Sequence, residues 1–199
     1  MMKTVLLSLK YDLDKYGYLS NVIDSKLIKY FRKNNNNIII LPNYKFDKSF
    51  LNHIKFDRII LTGGGDINSK NKNEKIRLDL EFKLIKFALE KKIPLLGICR
   101  GMQSLCKFFN VKIKKIKGHV KKQHKIFLNE KVLLRNSFHN YGVYSKDLDP
   151  RFKILGRAKD NSIEFINLKK TKIYGMMWHP ERQDFSKFKQ DLSLINFDD

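Results

Sequence analysis

Gly97-Ile98-Cys99-Arg100-Gly101 is the segment of this sequence best suited to covalent chemistry. An apolar run leads into it and a helical pattern leads out, so Cys99 falls on a strand-to-helix turn of the nucleophile-elbow kind. The flanking glycines let the backbone pass close to both elements where a Cβ would collide. A sulfur at a helix N-terminus faces the positive end of the dipole, which favours thiolate. Without such flanks, an isolated cysteine is more often a buried structural residue. Cys106, two helical turns on, has none and is expected in the core.

A thiolate needs a base, and Trp178-His179-Pro180-Glu181 supplies an imidazole with a carboxylate two residues away. Pro180 restrains the backbone between them, and a carboxylate on the far ring nitrogen would fix the tautomer. Cys99, His179 and Glu181 are thus a candidate triad, although His-Pro-Glu alone is a weak motif. Thr62-Gly63-Gly64-Gly65-Asp66 follows another apolar run. One of its free amides, with that of Arg100, could hold an oxyanion. Neither Gly-x-Gly-x-x-Gly nor a P-loop ending is present, so a dinucleotide or Walker-type site is excluded. Gln103, one helical turn after Cys99, can face the same pocket. No metal site or cofactor is expected: His53 is isolated, and His119 and His124 lie among lysines with no cysteine or carboxylate beside them.

These residues need a scaffold, and the apolar pattern provides one. Runs at 4–9, 38–41, 57–61 and 93–98 alternate with helical periodicity at 19–33, in the segment carrying Leu78, Phe82, Ile85 and Leu89, and at 100–109. Strands that are apolar throughout belong to a parallel sheet covered on both faces. The Asn34–Asn37 run reads as a loop. Runs at 124–128, 131–134, 152–155, 162–168 and 172–178 have short links and predict antiparallel strands, with a closing helix over 185–195. The expected fold class is α/β, a mostly parallel central sheet flanked by helices with additional antiparallel strands in the second half, in a single domain over 1–199.

At 199 residues, 42 % hydrophobic and 12 % aromatic, the chain can bury a core despite 31 % charged residues. Apolar runs such as Ile38–Leu41 fall far short of the ~20 residues of a membrane span. A soluble, cytoplasmic protein is expected, and two cysteines seven positions apart suit a reducing compartment. The net charge of +21 is carried by 33 lysines and only 8 arginines spread over the whole chain, alongside 17 asparagines and 21 isoleucines. Compositional drift explains that mixture better than a phosphate-reading stripe. A basic nucleic-acid-binding protein on an inert fold therefore ranks behind an enzyme whose positive field gathers small anions.

The pieces LPN at 41–43, LTGGGDI at 61–67, the stretch from Arg77 to Gln103 containing GICRGMQ, GHVKKQH at 118–124, NSFH at 136–139, DNSIEFI at 160–166 and MMWHPE at 176–181 resemble, in this order, the class I glutamine amidotransferases and in particular their γ-glutamyl hydrolase branch. The resemblance implies a flavodoxin-like α/β fold. It implies Cys99 as nucleophile, His179 as base, Glu181 as orienting acid and the amides of Gly64 and Arg100 as the oxyanion hole. It also implies that Gln103, Ser137 and His139 grip the glutamyl amino and carboxylate groups. Asp160 and Glu164 match a family signature without a role that spacing reveals. The implied reaction is cysteine-dependent hydrolysis of a γ-glutamyl amide. The compact, lysine-rich chain and the run LLRNSFHNYGV are similar to branch members that release glutamate from an anionic nucleotide conjugate in capsule phosphoramidate synthesis. Hydrolysis of γ-glutamyl-GABA-type amines, or service as the glutaminase subunit of a synthetase, are the competing readings; oligomeric state is left open.

Overall fold

The computed structural model describes residues 2–46, 48–195 and 197. The chain runs β1 (Thr4–Ser8), β2 (Lys10–Leu13), β3 (Leu19–Val22), α1 (Ser25–Lys33), β4 (Asn37–Leu41), α2 (Lys48–Asn52), β5 (Arg58–Leu61), α3 (Lys72–Lys91), β6 (Leu95–Ile98) and α4 (Arg100–Phe108). It continues through β7 (Lys114–Lys115), β8 (Val120–Leu128), β9 (Val132–Phe138), β10 (Tyr141–Gly142), β11 (Phe152–Ala158), β12 (Ile163–Leu168), β13 (Ile173–Met176) and α5 (Phe185–Ser193). Nine strands form one sheet in the order β4-β1-β5-β6-β13-β12-β11-β8-β9. The first five in that order pair in parallel and the rest antiparallel.

Every residue of β5 and β6 is buried, as expected of strands covered on both faces. On one face α3 and α4 pack Leu80, Leu84, Ile85, Met102 and Leu105 into a core with Ile59 and Leu95. On the other, α1 and α5 pack Leu27, Tyr30, Phe31, Phe188 and Leu192 against Val5, Ile60 and Trp178.

Three expectations are corrected. Residues 19–22 do not open a helix but form β3, antiparallel to β2. Asp14 makes that hairpin, its carboxylate accepting from the amides of Tyr16 and Tyr18 while Gly17 takes φ 87°. The helix starts only at Ser25, where the Asp24 side chain caps it. The asparagine loop stops one residue early, since Asn37 is the first residue of β4. Finally, β13 is antiparallel only to β12; toward β6 it runs parallel, Ile173 opposite Leu95 and Met176 opposite Ile98. The short hairpin makes β13 antiparallel to β12, and β13 alone stands between β12 and β6, so one strand carries both kinds of pairing. No helix among the described residues is long and apolar enough to cross a membrane.

Candidate active site

Register brings the chemistry together. Leu61 lies opposite Gly97 and Met176 opposite Ile98, so the segments beginning at Thr62, Cys99 and Met177 all leave the carboxyl edge of the sheet side by side. That edge is where open α/β sheets build their sites. Cys99 stands on the turn at φ 49° and ψ −103°, with its amide donating to the Met176 carbonyl at 2.6 Å. A non-glycine residue held there costs about 1–3 kcal/mol. Both neighbouring glycines are required: a Cβ on Gly97 would lie 2.5 Å from the Gly101 carbonyl carbon, and one on Gly101 would land on the Leu61 carbonyl oxygen.

His179 follows β13, and its Nδ1 lies 2.6 Å from Glu181 Oε1. This leaves Nε2 clear of the carboxylate, and His179 lines the same cavity as Cys99. The ring is boxed in. Phe138 meets it edge-on at 5.8 Å, and a Cβ on Gly63 would sit 2.5 Å from its Cε1. Asn136 holds the backbone of His179 from both sides, donating to its carbonyl at 2.8 Å and accepting from its amide at 2.9 Å. Burial alone would lower the imidazole pKa, but the Cys99 sulfur and the Glu181 carboxylate outweigh it and push it up to about 9. Cys106 is fully buried, and burial pushes its thiol up to about 12, so it stays a protonated core residue as expected.

The glycine loop is oriented by a residue outside the expected site. Buried Arg77 donates to the carbonyls of Thr62 at 2.7 Å, Gly63 at 3.2 Å and Gly64 at 2.8 Å. In trans peptides each following amide points the opposite way, so the amides of Gly63, Gly64 and Gly65 turn away from Arg77. Among the described residues the Gly64 amide donates to no protein acceptor. Arg100 opens α4, so its amide has no intrahelical acceptor either. Gly64 and Arg100 line one cavity with Cys99, Gln103, His139 and His179. Glu81 ties the two amide-bearing segments together: its carboxylate takes Arg77 Nε at 2.9 Å, Ser104 Oγ at 2.6 Å and the Arg100 guanidinium.

The three residues expected to grip substrate differ. Gln103 faces the cavity, and its Nε2 donates to the Tyr141 carbonyl at 2.9 Å, which leaves Oε1 available. Ser137 is fully buried with its hydroxyl donating to the His119 carbonyl at 2.6 Å, and it does not line the cavity. His139 lines the wall, yet its Nδ1 is at 3.1 Å from the Tyr141 carbonyl and its Nε2 points toward Glu164 at 3.6 Å. The histidine reading is also corrected: His119 and His124 do have a carboxylate nearby, because the fold brings Glu164 and His139 between them. A second cavity behind His179 is lined by Lys10, Asp24, Gly63 and Glu181, and Arg182 borders both. Arg77, Glu81 and Asn136 escaped sequence reasoning because positioning residues carry no reactive group, although each lies within or beside a matched motif.

The fold and the cysteine-histidine edge define the class. The family model of class-I glutamine amidotransferases matches residues 19–190, and the chain belongs to that family. Within it, the chain is 39 % identical over 151 residues to the γ-glutamyl-CDP-amidate hydrolase of Campylobacter jejuni, with 74 % of each chain covered. It is 31 % identical over 134 residues to a glutamine-hydrolysing GMP synthase component of Methanococcus vannielii, covering 62 % of this chain and 63 % of that one. A solved glutamine amidotransferase of Thermotoga maritima has the same fold, with a TM-score of 0.70 at 20 % identity over 100 % of this chain and 84 % of the other.

Proposed function

We propose that the chain is a cysteine-dependent γ-glutamyl hydrolase whose substrate is γ-glutamyl-CDP-amidate, cleaved to cytidine diphosphoramidate and glutamate in capsular polysaccharide phosphoramidate synthesis. The observation that supports the chemistry is the Glu181–His179 hydrogen bond at the edge of one cavity shared by His179, Cys99 and the segments carrying the Gly64 and Arg100 amides. The substrate rests on the likeness to the Campylobacter jejuni enzyme.

In this reading the Cys99 thiolate attacks the side-chain carbonyl carbon of the glutamyl group. The C–S bond forms, and the amides of Gly64 and Arg100 receive the oxyanion. One such donor contributes about 2.7–4 kcal/mol in other enzymes. Imidazolium His179 gives its proton to the departing nitrogen as the C–N bond breaks. The neutral imidazole then takes a proton from water, whose oxygen attacks the thioester carbon; the C–S bond breaks, releasing glutamate and restoring the thiolate. Gln103 Oε1 can accept from the glutamyl ammonium. Arg182 and Lys10, whose side chain crosses Gly64, stand where a diphosphate leaving group would exit.

A panel of γ-glutamyl-CDP-amidate, γ-glutamyl-GABA and glutamine, read by glutamate release, tests the assignment. Turnover of the nucleotide conjugate at least tenfold above the others is expected and should vanish in Cys99→Ala. Equal turnover of γ-glutamyl-GABA would remove the nucleotide reading. Preferential use of glutamine would favour a glutaminase subunit.

A further inference from the structure

Beyond the catalytic pocket, four buried polar atoms converge without hydrogen-bond partners: His119 Nδ1, His124 Nε2, His139 Nε2 and Glu164 Oε2. The potential ligand atoms of these four residues all lie within 4.8 Å of one another. His119, His139 and Glu164 are at most 5 % exposed, and only His124 reaches the rim. A buried donor or acceptor left unsatisfied costs about 1–3 kcal/mol, and four at one point call for a missing partner.

We infer that His119, His124, His139 and Glu164 form a closed, four-coordinate Zn²⁺ site that braces the wall of the substrate cavity. Spacing separates this from an ion-pair cluster. His119 Nδ1, His124 Nε2 and His139 Nε2 stand 3.5, 3.4 and 3.6 Å from the Glu164 oxygens. Those separations are long for charge-assisted hydrogen bonds, which run about 2.7–2.9 Å. They lie within about 0.3 Å of the edge of a tetrahedron of ligands about 2.0–2.1 Å from zinc, which is about 3.3–3.4 Å.

The far sides of the rings are already fixed. His119 Nε2 lies 3.0 Å from Asp160 Oδ2 and His139 Nδ1 lies 3.1 Å from the Tyr141 carbonyl, the carboxylate and carbonyl supports that zinc-bound imidazoles use. Ser162 Oγ steadies both carboxylates, at 2.7 Å from Asp160 and 3.3 Å from Glu164. Three nitrogens and one oxygen suit zinc, whereas magnesium, calcium and manganese want more oxygen ligands.

Local backbone geometry serves the cluster. His119 and His124 are five residues apart, which in a regular strand sends side chains to opposite faces. A register shift lies between Val120, opposite Phe138, and Lys122, opposite Ser137, with Lys121 at φ 53°. One extra residue converts the odd spacing to an even one, and both rings face Glu164. The Tyr141 carbonyl that supports His139 also receives Gln103 Nε2, so the same atoms support the cavity wall.

The full-length chain, purified and freed of loosely held metal by gel filtration, should carry about one zinc per chain by elemental analysis. After chelator treatment it should melt lower and recover with Zn²⁺ but not Mg²⁺, and Co²⁺ should give the visible bands of tetrahedral coordination. His124→Ala and Glu164→Gln should fall below one-tenth of an equivalent, and Asp160→Ala should weaken zinc affinity about 10–100-fold. Cys99→Ala should keep its metal. If a ligand variant fails to fold, titration of chelator-treated wild type decides alone. No uptake of Zn²⁺ or Co²⁺ and an unchanged melting temperature would leave an imidazole–carboxylate cluster only and overturn the site. None of these readouts uses hydrolase activity, so that reading stands or falls separately.

Discussion

Gly63 shows how little room the proposed chemistry has, because any side chain there would displace the His179 ring. Gly63→Ala should therefore fold yet lose about 100-fold or more in kcat, the scale of a 1 Å misplacement; wild-type turnover in this variant would mean that the ring position is irrelevant. His179 titrates at about 9 through its sulfur and carboxylate neighbours, so kcat/KM should fall above about pH 9 as the proton for the leaving nitrogen is lost. The stability effect has the same sign. A group raised from 6.5 to about 9 contributes fully below 6.5 and progressively less as pH rises through 9. Denaturation midpoints of wild type should decline over that window, and those of His179→Gln should decline less. Residue type and spacing single out Cys99, Gln103, His179 and Glu181 because each carries its own chemistry, and the fold sets Cys99, Gln103 and His179 on one cavity with Glu181 against His179. His139 was expected on the substrate only through the family resemblance; in the fold its Nδ1 meets the Tyr141 carbonyl and its Nε2 faces Glu164.

At the scale of elements, what matters is that two backbone segments remote in sequence arrive in one orientation. Arg77 and Glu81 on α3 do this, joining the loop after β5 to the first turn of α4. Arg77→Leu takes one of two guanidinium partners from buried Glu81 and three donors from the loop carbonyls, and should destabilise the fold by about 1–3 kcal/mol in a denaturant titration. Where folding survives, kcat should suffer more than KM, because the loop amides act on the transition state; an unchanged kcat would show that the loop needs no staple. The parallel half of the sheet was legible because its strands are apolar throughout and its helices keep a 3.6-residue period. The β2–β3 hairpin was not, since Leu19, Ile23 and Leu27 satisfy a helical period until Asp24 caps the helix. The direction of β13 was equally hidden, because a strand with different neighbours on its two sides is both parallel and antiparallel.

For the whole molecule, a charge of +21 draws anions and repels cations at long range. If the substrate is a nucleoside diphosphate conjugate, kcat/KM should drop several-fold between low and 0.5 M salt as the Debye length shrinks, and the loss should be concentrated in KM. Turnover of γ-glutamyl-GABA should respond little, and an equal response would detach the field from substrate choice. Composition alone did not show where that charge acts, since lysine is spread over every segment; only the fold sets Lys10 and Arg182 beside the cavities at the sheet edge. The most direct test is rapid-quench mass spectrometry during turnover of γ-glutamyl-CDP-amidate, following the peptide that ends at Arg100. A glutamyl thioester on Cys99, absent from Cys106 and from the Cys99→Ala variant, is expected. Glutamate release by Cys99→Ala at the wild-type rate would contradict it.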